Sequence, residues 1–274
     1  MSELIHVSRG LWREGAEVAT VAGRAAAYLA VLPAGSVLSG MTAAKVHGLW
    51  LPTVPDDVLE FIVHPDTPLP RDRPGSRRSG LRARRRLLEP DEITVVEGLP
   101  ITKEAVTWLH LADRLRLPDL VAAGDSVLRG GASLDELQGV VRRAAHRPGV
   151  VRARQALPLL DARSRSRPES HLRCAVVSGG LPKPAVNEPI FDEHGQWLAE
   201  PDLSYDDVRL ALEYNGAEHA EVDRMRKDIT REIDVGFRGG WQTVTFGPAE
   251  VFRFPGRIAP YVATLRRERA RLFQ

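Results

Sequence analysis

The chain has a single cysteine, Cys174, among its 274 residues. One cysteine excludes an intramolecular disulfide framework and a zinc site built from several thiolates, and it is typical of a protein in a reducing compartment. The chain also lacks any stretch close to the roughly 20 apolar residues that a membrane-spanning helix needs. Its charged N-terminal segment has no apolar core of signal-peptide length. We therefore expect a soluble cytoplasmic protein that has no membrane partner.

The chain also lacks an excess of either sign of charge, since its formal net charge is only +2. A nucleic-acid-binding surface would therefore have to come from the local distribution of charge and not from its total. Hydrophobic residues make up 43% of the sequence, which is enough to bury a core, so disorder is not expected. A chain of this length forms one large domain or two ordinary ones.

The hydrophobic pattern divides the chain at the polar, arginine-rich segment 161–170. Residues 1–160 are predicted to form a mainly helical domain with a small sheet, in which Thr102 and Ser133 cap helices. Residues 166–274 are predicted to contain a helix, three strands, a helix, a strand and a final helix. The predicted fold class is therefore α+β in two domains, the second of which has a mixed sheet flanked by helices.

Positive charge concentrates in the segment 71–86 of the first domain. Eight arginines fall within it, with Asp72 as the one acid: Arg71, Arg73, Arg77, Arg78, Arg82, Arg84, Arg85 and Arg86. The first half is predicted to be a loop, and LRARRRL a strand that carries arginine on one face. One interpretation is a solvated loop and edge strand; the other is a patch that contacts nucleic-acid phosphates. No aromatic residue is interleaved with these arginines, so base stacking is not indicated.

The segment PDLSYDDVRLALEYNGAEH, residues 201–219, places a carboxylate on either side of an alternating apolar run. Asp202 precedes the run and Glu213 ends it, so a hairpin here would bring both to neighbouring strand positions. Two carboxylates and the backbone carbonyl of Tyr214 are oxygen donors of the kind that Mg²⁺ or Mn²⁺ binds. Such an ion would make a water more acidic for attack on a phosphodiester, and it would stabilise charge on the phosphorus.

Strand alternation indicates which of these side chains project together. Along VRLALEY, residues 208–214, the branched apolar side chains share one face and Glu213 lies on the other. Asn215 then projects with Glu213. Glu169, on the helix that enters the second domain, is a third carboxylate for the site. The alternative is that Asp202 and Glu213 are ordinary charges of an edge strand.

These segments together resemble a known nuclease family. SRPESHLR, PDLSYDDVRLALEYNGAEH and DITREIDVGFRGGWQTVTF are similar to the domain of unknown function 559, a relative of the very-short-patch-repair mismatch endonucleases in the restriction-endonuclease-like superfamily. The matching positions are Glu169, Asp202, Glu213, Asn215, Gly216, His219, Asp228, Arg231 and Trp241. The resemblance covers residues 166–254 and implies a restriction-endonuclease-like domain that cleaves DNA with Mg²⁺ or Mn²⁺. Because many such nucleases cut both strands as dimers, it leaves a homodimer open.

One position departs from the family pattern. The family has aspartate where this chain has Asn215, and the wider superfamily has lysine there. An asparagine oxygen can bind a metal or a water, but asparagine cannot act as a general base. The resemblance makes His219 a candidate acid or base near neutral pH, with a structural hydrogen bond as the alternative. Arg231 either steadies a phosphate or pairs with Asp228, three residues earlier on one predicted helix.

A second resemblance lies in the first domain. VLSGMTAAKVHGLWLP and GLPITKEAVTWLHLADRL, with the arginine-bearing segment between them, are similar to the C-terminal region of AbiEi-type antitoxins from type IV toxin–antitoxin systems. Those antitoxins begin with a winged-helix DNA-binding module, and a full helix-turn-helix does not fit the first residues here. The resemblance therefore implies a partner toxin. It leaves DNA contact to the arginines of the segment: Arg77, Arg78, Arg82, Arg84, Arg85 and Arg86.

Two functions follow as hypotheses. The first is a divalent-metal-dependent DNA endonuclease, with the metal held by Asp202, Glu213 and the Tyr214 carbonyl, and with Glu169, Asn215 and His219 completing the catalytic set. The second is a weak or inactive nuclease fold that binds DNA through its arginines, Arg231 among them, as an antitoxin-like transcriptional regulator. An enzyme acting on RNA or on a branched junction is a third hypothesis.

Overall fold

The computed structural model describes residues 4–8, 11–14, 20–53, 58–68, 80–216, 235–236 and 239–273. The chain divides into two compact units, Met1–Leu157 and Pro158–Gln274. The first combines helices with a five-stranded sheet, and the second packs helices on a four-stranded sheet. The predicted α+β class with two domains is therefore confirmed. Among the described residues, no helix is long and apolar enough to cross a membrane.

The first unit is built around a mixed sheet. Its elements are β1 Leu4–Ser8, β2 Leu11–Glu14, α1 Val21–Leu29, β3 Val37–Leu38, α2 Gly40–Val46, β4 Leu59–Val63, β5 Leu81–Arg85, β6 Ile93–Val96, β7 Leu99–Thr102, α3 Glu104–Leu111, α4 Leu117–Arg129, α5 Leu134–Arg143 and α6 Val150–Ala156. The sheet order is β5-β4-β3-β7-β6, with β4 parallel to β5 and β3 parallel to β7. β1 and β2 form a separate antiparallel ribbon. β5 is therefore an edge strand, and the strand predicted for LRARRRL is confirmed.

Alternation along β4 separates a hydrophobic face of this sheet from a polar one. Leu59 and Phe61 belong to a buried core that includes Tyr28 of α1. Burying a side chain of this size contributes about 1.5–3 kcal/mol. Glu60 and Ile62 project from the opposite face, because successive strand residues point to opposite sides. A carboxylate is thereby placed in the interior of the unit, where it needs partners.

Of the two helix caps predicted from the sequence, one is confirmed and the other is wrong. Ser133 caps α5, since its Oγ accepts the N–H of Glu136 while the Glu136 carboxylate accepts the N–H of Ser133. That prediction is confirmed. The prediction for Thr102 is wrong, because this residue ends β7 and α3 begins after Lys103. The Thr102 hydroxyl is buried and needs a partner, which it finds in the hydroxyl of Thr107 at 2.7 Å.

The second unit begins at Pro158, ahead of the segment 161–170 at which the sequence predicts a boundary. Its elements are α7 Arg167–Ser178, β8 Ala185–Val186, β9 Ile190–Phe191, β10 Trp197–Ala199, β11 Leu203–Tyr205, β12 Leu210–Tyr214, β13 Gln242–Phe246 and α8 Ile258–Ala270. The sheet order is β13-β12-β11-β8, with β12 parallel to β13 and antiparallel pairing elsewhere. The predicted mixed sheet flanked by helices is therefore confirmed.

Both faces of β12 are covered. Leu210 and Leu212 lie in the core formed with α7 and α8, whereas Ala211 packs in a second cluster with Trp241. The alternation predicted along the strand is confirmed, but its start at residue 208 is wrong. A short 3₁₀ turn and Arg209, whose φ is 46°, precede the strand. A residue with a left-handed backbone conformation cannot extend a strand, so β12 begins at Leu210, directly after Arg209.

Two further differences concern the strands and helix around this sheet. The sequence predicts one strand through WLAEPDLSY, but Pro201 separates β10 from β11. Proline offers no N–H to a ladder, so a strand interior disfavours it. The helix predicted over residues 221–240 falls almost entirely outside the described residues.

Candidate functional site

Asp202 and Glu213 lie across from each other at one end of the β11–β12 pair. The antiparallel register matches Leu203 with Leu212 and Tyr205 with Leu210. Continued by one residue, this register sets Asp202 opposite Glu213, and directly opposed side chains on an antiparallel pair have Cβ atoms about 4.5–5.5 Å apart. The sequence prediction that the two carboxylates occupy neighbouring strand positions is consistent with this register.

The carboxylate of Asp202 is bound to the backbone of the neighbouring strand. Its Oδ2 accepts a hydrogen bond from the N–H of Tyr214 at 2.7 Å. The N–H and C=O of a strand residue point towards the same neighbouring strand, so the Tyr214 carbonyl also faces the side on which Asp202 lies. The next N–H, that of Asn215, points the other way and donates to Phe246 of β13 at 3.0 Å. The carboxylates of Asp202 and Glu213 and the carbonyl of Tyr214, which are the predicted metal ligands, therefore belong to one end of the β11–β12 pair.

Glu169 is buried in the first turn of α7. Ser166 precedes the helix, and its hydroxyl accepts the N–H of Glu169. A carboxylate is favoured there by the helix dipole. Oε2 of Glu169 accepts hydrogen bonds from the N–H of Arg165 and from Nδ2 of Asn187, both at 2.8 Å. Two donors therefore hold the predicted third carboxylate in place.

Asn187 connects Glu169 to the strand that carries Asp202. Its backbone N–H donates to the carbonyl of Asp202 at 3.1 Å, while its side chain reaches Glu169 and the carbonyl of Arg163. Asn187 has a φ of 46°, a conformation that asparagine adopts more readily than most residues. The sequence analysis missed this residue. The signal was its place in the Asn-Glu-Pro turn between two strands.

The predicted metal ligands are similarly buried, the predicted catalytic residue Asn215 is not, and two other predicted residues cannot be placed. Asp202 and Glu213 are half-buried and Asn215 is exposed. His219 and Arg231 lie outside the described residues. Among the residues that the structure describes, no three His, Cys, Asp or Glu side chains come together as a group that could hold a metal ion. A metal here would instead rest on the carboxylates of Asp202 and Glu213 with a carbonyl, and hard oxygen donors of this kind fit Mg²⁺ or Mn²⁺.

Three of the four arginines of the segment that were predicted to contact nucleic acid, and that the structure describes, pair with carboxylates. Arg77 and Arg78 lie outside the described residues. Alternation along β5 and beyond places three arginines on the polar face of the sheet. Each has an acidic partner: Arg82 meets Glu60 at 3.2 Å, Arg84 meets Asp113 at 3.4 Å and Arg86 meets Glu92 at 2.7 Å.

A cavity of about 240 Å³ lies between this polar face and α3. The cationic residues that line it are Arg82, Arg84, Arg85, Arg86 and Arg147, and the anionic ones are Glu60 and Asp113. Because alternation directs the Arg85 side chain to the other face of the sheet, the cavity has a formal surplus of two positive charges. The sequence analysis identified four of these arginines but neither the cavity nor its acidic residues.

Glu60 is the most extensively bound carboxylate of the cavity. It accepts the N–H of Met41 at 3.1 Å and pairs with both Arg82 and Arg114. The Glu60 carboxylate lies so close to the backbone of Gly40 that a Cβ added at Gly40 would lie 2.0 Å from Oε2 of Glu60. Gly40 also has a φ of 56°, so glycine suits this position on two grounds.

His110 is a neutral residue within this cationic cavity. Nη1 of Arg86 lies 2.5 Å from Nε2 of His110, and since a guanidinium only donates, this nitrogen is the acceptor. Burial first, and then the charges of Arg86, Arg147 and Arg84, lower the pKa of His110 to about 3. Burial also lowers the pKa of Arg86, although Glu92 partly offsets this effect.

Comparison with known proteins gives relatives but no family. No family model matches the chain. The uncharacterized proteins MT2308 and Rv2248, from the CDC 1551 and H37Rv strains of Mycobacterium tuberculosis, are each 35% identical to it over 170 residues. The matched region covers 61% of this chain and 62% of each relative. The crystal structure of the RV2827C protein from Mycobacterium tuberculosis is 20% identical, with a TM-score of 0.40, over 57% of this chain and 60% of that one.

Proposed function

We propose that the second unit is a divalent-metal-dependent endonuclease that hydrolyses phosphodiester bonds in DNA. The observation that carries this proposal is the register that sets Asp202 opposite Glu213, with the Asp202 carboxylate on the backbone of Tyr214. Two carboxylates and a carbonyl at one strand end are a donor set that suits Mg²⁺ or Mn²⁺. The resemblance to the very-short-patch-repair endonucleases supports DNA as the substrate.

The residues of the site have distinct tasks in the proposed reaction. Asp202, Glu213 and the Tyr214 carbonyl would hold the ion, and such an ion would supply a more acidic water and offset charge on the phosphate. Glu169 acts through Asn187 and holds the backbone that carries Asp202.

Three further roles in the reaction follow from the resemblance. Asn215 orients a water or the ion through its amide oxygen, because it has no proton to give up as an acid and does not serve as a base. His219 transfers a proton near neutral pH. Arg231 contacts a phosphate of the substrate.

The direct test is cleavage of supercoiled, linear and single-stranded DNA by the full chain in the presence of Mg²⁺ or Mn²⁺. We expect Asp202→Ala and Glu213→Ala each to slow cleavage about a hundredfold or more, because each removes a charge-bearing group at the reacting phosphate. Glu193→Ala is the matched control. The Glu193 side chain is 77% exposed and lies in the turn between β9 and β10.

Two results would contradict the assignment. Cleavage that persists at the original rate in both the Asp202 and Glu213 variants would overturn the site. Cleavage that continues after chelation of divalent ions would overturn the role of the metal. Calorimetric titration with Mn²⁺ adds a readout besides activity, since the same two variants are expected to lose binding while Glu193→Ala retains it.

A second candidate function rests on Asn215, the neutral residue at the end of β12. A site without an acid there favours a nuclease fold that binds DNA without cutting it, as an antitoxin-like regulator with a partner toxin. This function predicts DNA binding that weakens steeply with salt and no cleavage with either metal. Arg85→Ala is the cleanest test of the arginine segment, because Arg86 is committed to Glu92 inside the unit. Unchanged affinity in that variant would contradict this function.

Both candidate functions place the protein in the cytoplasm, with DNA as its main partner. The single cysteine, Cys174, is buried and forms no disulfide, as suits a reducing compartment. For the endonuclease we further propose a homodimer that cuts the two strands, which size-exclusion chromatography with light scattering would test. A monomer at the concentrations that support cleavage would overturn this part of the proposal.

A further inference from the structure

We propose that the cavity of the first unit binds the phosphate of a sugar phosphate, either a free nucleotide or the phosphorylated end of a nucleic-acid strand. This site goes beyond the proposed nuclease, whose residues all lie in the second unit. Charge is the first argument, because Arg82, Arg84, Arg86 and Arg147 line the cavity against the two carboxylates of Glu60 and Asp113. Counting the ion partners just behind the lining, Arg114 and Glu92, leaves the surplus unchanged at two positive charges.

The arginines at the mouth of this cavity can exchange partners at little cost. Arg82 and Arg84 are about half exposed, and Arg84 is 3.4 Å from its partner Asp113. Arg147 reaches Glu92 only at 3.9 Å. Exposed ion pairs of this kind contribute little to stability, whereas guanidinium groups bind phosphate oxygens through strong, often paired hydrogen bonds. A phosphate is therefore able to compete for these groups.

The interior of the cavity favours an anion over a cation. Nε2 of His110 accepts a hydrogen bond from Arg86, so this histidine adds no positive charge of its own to the cavity. The neighbouring guanidinium groups repel one another, and an anionic ligand relieves that repulsion. A cavity of about 240 Å³ has room for a phosphate and a small attached group, since a water molecule takes up about 30 Å³ of liquid.

One acceptor in the cavity points to a ligand that also carries a hydroxyl group. Asp113 lines the cavity, and its Oδ2 pairs with the half-exposed Arg84 at 3.4 Å, whereas its Oδ1 is buried away from any ligand. When Arg84 turns to a bound phosphate, Oδ2 loses this partner and needs another donor. A sugar hydroxyl next to the phosphate supplies such a donor, and bare phosphate supplies it less well. A sugar phosphate therefore fits the cavity better than inorganic phosphate.

The test is a calorimetric titration of the full chain carrying Glu213→Ala, which keeps any nucleic-acid probe from being cut. The probes are inorganic phosphate, ribose 5-phosphate, AMP, and one short oligonucleotide with either a 5′-phosphate or a 5′-hydroxyl. We expect ribose 5-phosphate to bind about fivefold more tightly than inorganic phosphate, as one further hydrogen bond provides. Tighter binding of AMP identifies a free nucleotide as the ligand, and tighter binding of the 5′-phosphorylated strand identifies a strand end.

The variants separate this cavity from other basic surfaces. Arg84→Gln and Arg147→Gln are each expected to weaken ribose 5-phosphate binding about tenfold, because each removes a charged hydrogen bond. Arg142→Gln on α5 is the matched control, since Arg142 is exposed and does not line the cavity. Circular dichroism verifies that each variant folds.

Three outcomes would overturn the proposal: no binding of ribose 5-phosphate or AMP at millimolar concentration, equal binding of ribose 5-phosphate and inorganic phosphate, or equal weakening by Arg142→Gln. Oligonucleotides that bind alike with and without the 5′-phosphate, and that Arg84→Gln leaves unaffected, would place nucleic-acid binding elsewhere. Loss of cleavage by Asp202→Ala with no sugar phosphate binding would overturn this proposal and leave the nuclease proposal standing.

Discussion

The two units concentrate opposite charges and hold them by different means. In the first, guanidinium groups outnumber carboxylates around a cavity, and they are held by side-chain ion pairs. In the second, Asp202 and Glu169 are held by backbone N–H groups and by the amide of Asn187. Ion pairs between long, exposed side chains are weak and exchangeable, whereas donors on the backbone are fixed by the fold.

This difference bears on what each site can do. A set of mobile cations adapts to an anionic ligand that arrives from solution, and rigid positioning adds little to that task. A pair of carboxylates that binds a metal must be set in advance at fixed distances, because the geometry of Mg²⁺ is strict. The first unit therefore suits binding of an anion, and the second suits a preorganised site.

The largest expected effect is on the carboxylate that anchors the cationic cavity. Glu60→Ala is expected to lower the free energy of unfolding by about 3 kcal/mol, because it leaves Arg114, Arg82 and the N–H of Met41 without their acceptor. Urea unfolding measures this change. Glu104→Ala is the control, since Glu104 is 47% exposed and its ion pair is with His47. An effect no larger than that of the control would show that the cavity does not depend on Glu60.

A smaller loss is expected at the corresponding carboxylate of the second unit. Glu169→Ala is expected to cost about 2 kcal/mol, because it leaves the part-buried N–H of Arg165 and one of the two amide N–H groups of Asn187 without an acceptor. Glu169→Gln retains an oxygen acceptor and is expected to recover most of that stability. Equal destabilisation by the two variants would show that charge, and not hydrogen bonding, makes Glu169 important.

The free energy of unfolding is expected to depend on pH through His110 of the first unit. The pKa of His110 in the folded chain is about 3, below its ordinary value of 6.5, so the unfolded chain binds more protons between these values. The contribution of the neutral His110 to stability is therefore fully present above pH 6.5, and it is lost as the pH falls towards 3. The slope is at most about 1.4 kcal/mol per pH unit, or about 2 kcal/mol between pH 6.5 and 5.

His110→Gln tests this dependence, because glutamine offers Arg86 a neutral acceptor that does not titrate in this range. Unfolding midpoints at several pH values, followed by tryptophan fluorescence, are expected to vary less in the variant than in the native chain. Two curves that run parallel between pH 6.5 and 5 would contradict a histidine that stays neutral in the folded chain.

A smaller change is expected at the end of β12. Under the proposed nuclease function, Asn215→Asp introduces an acid at this position and adds a third negatively charged oxygen ligand beside Asp202 and Glu213. We expect DNA cleavage with Mg²⁺ to rise several-fold, up to about tenfold, which corresponds to about 1.4 kcal/mol. Asn215→Ser is the control. Equal rates for native chain and both variants would show that this position lies outside the reacting centre.

The smallest effect is expected at the exposed arginines of the first unit. Arg84→Gln is expected to change the free energy of unfolding by less than about 1 kcal/mol, since its pair with Asp113 is half exposed and 3.4 Å long. Denaturant unfolding measures the change, with Arg142→Gln as the comparison. A loss as large as that of Glu60→Ala would mean that Arg84 is a structural residue and not an exchangeable one.

Much of the second unit follows from local patterns in the sequence. Alternation along LALEY predicts which side chains enter the core, and Ser166 three residues ahead of Glu169 is typical of a helix start. The boundaries of the strands were harder to predict, because Arg209 and Pro201 break strands through backbone conformation and not through hydrophobicity. The role of Asn187 was not predictable in this way, since it depends on a left-handed turn next to a buried carboxylate.

Local patterns in the sequence did not predict the cavity of the first unit. Arg86 and His110 are 24 residues apart, and Arg114 and Glu60 are 54 apart. The run of arginines predicted a basic surface, but the structure pairs them with acids from other elements. No periodicity in the sequence indicates which carboxylate will neutralise which arginine, because that depends on how β4, β5 and α3 pack.

The sequence by itself determined the α+β class, the two-domain division, the faces of the strands and the run of arginines before β6. These features depend on the period of the backbone and on residues close in the chain, which is why a pattern of a few residues predicts them. Only the tertiary structure decided that Asp202 binds the backbone of Tyr214, that Asn187 joins it to Glu169, and that the arginines enclose a cavity around a neutral histidine. Charges and hydrogen bonds act over a few ångströms in space, so their partners are known only once distant segments have packed together.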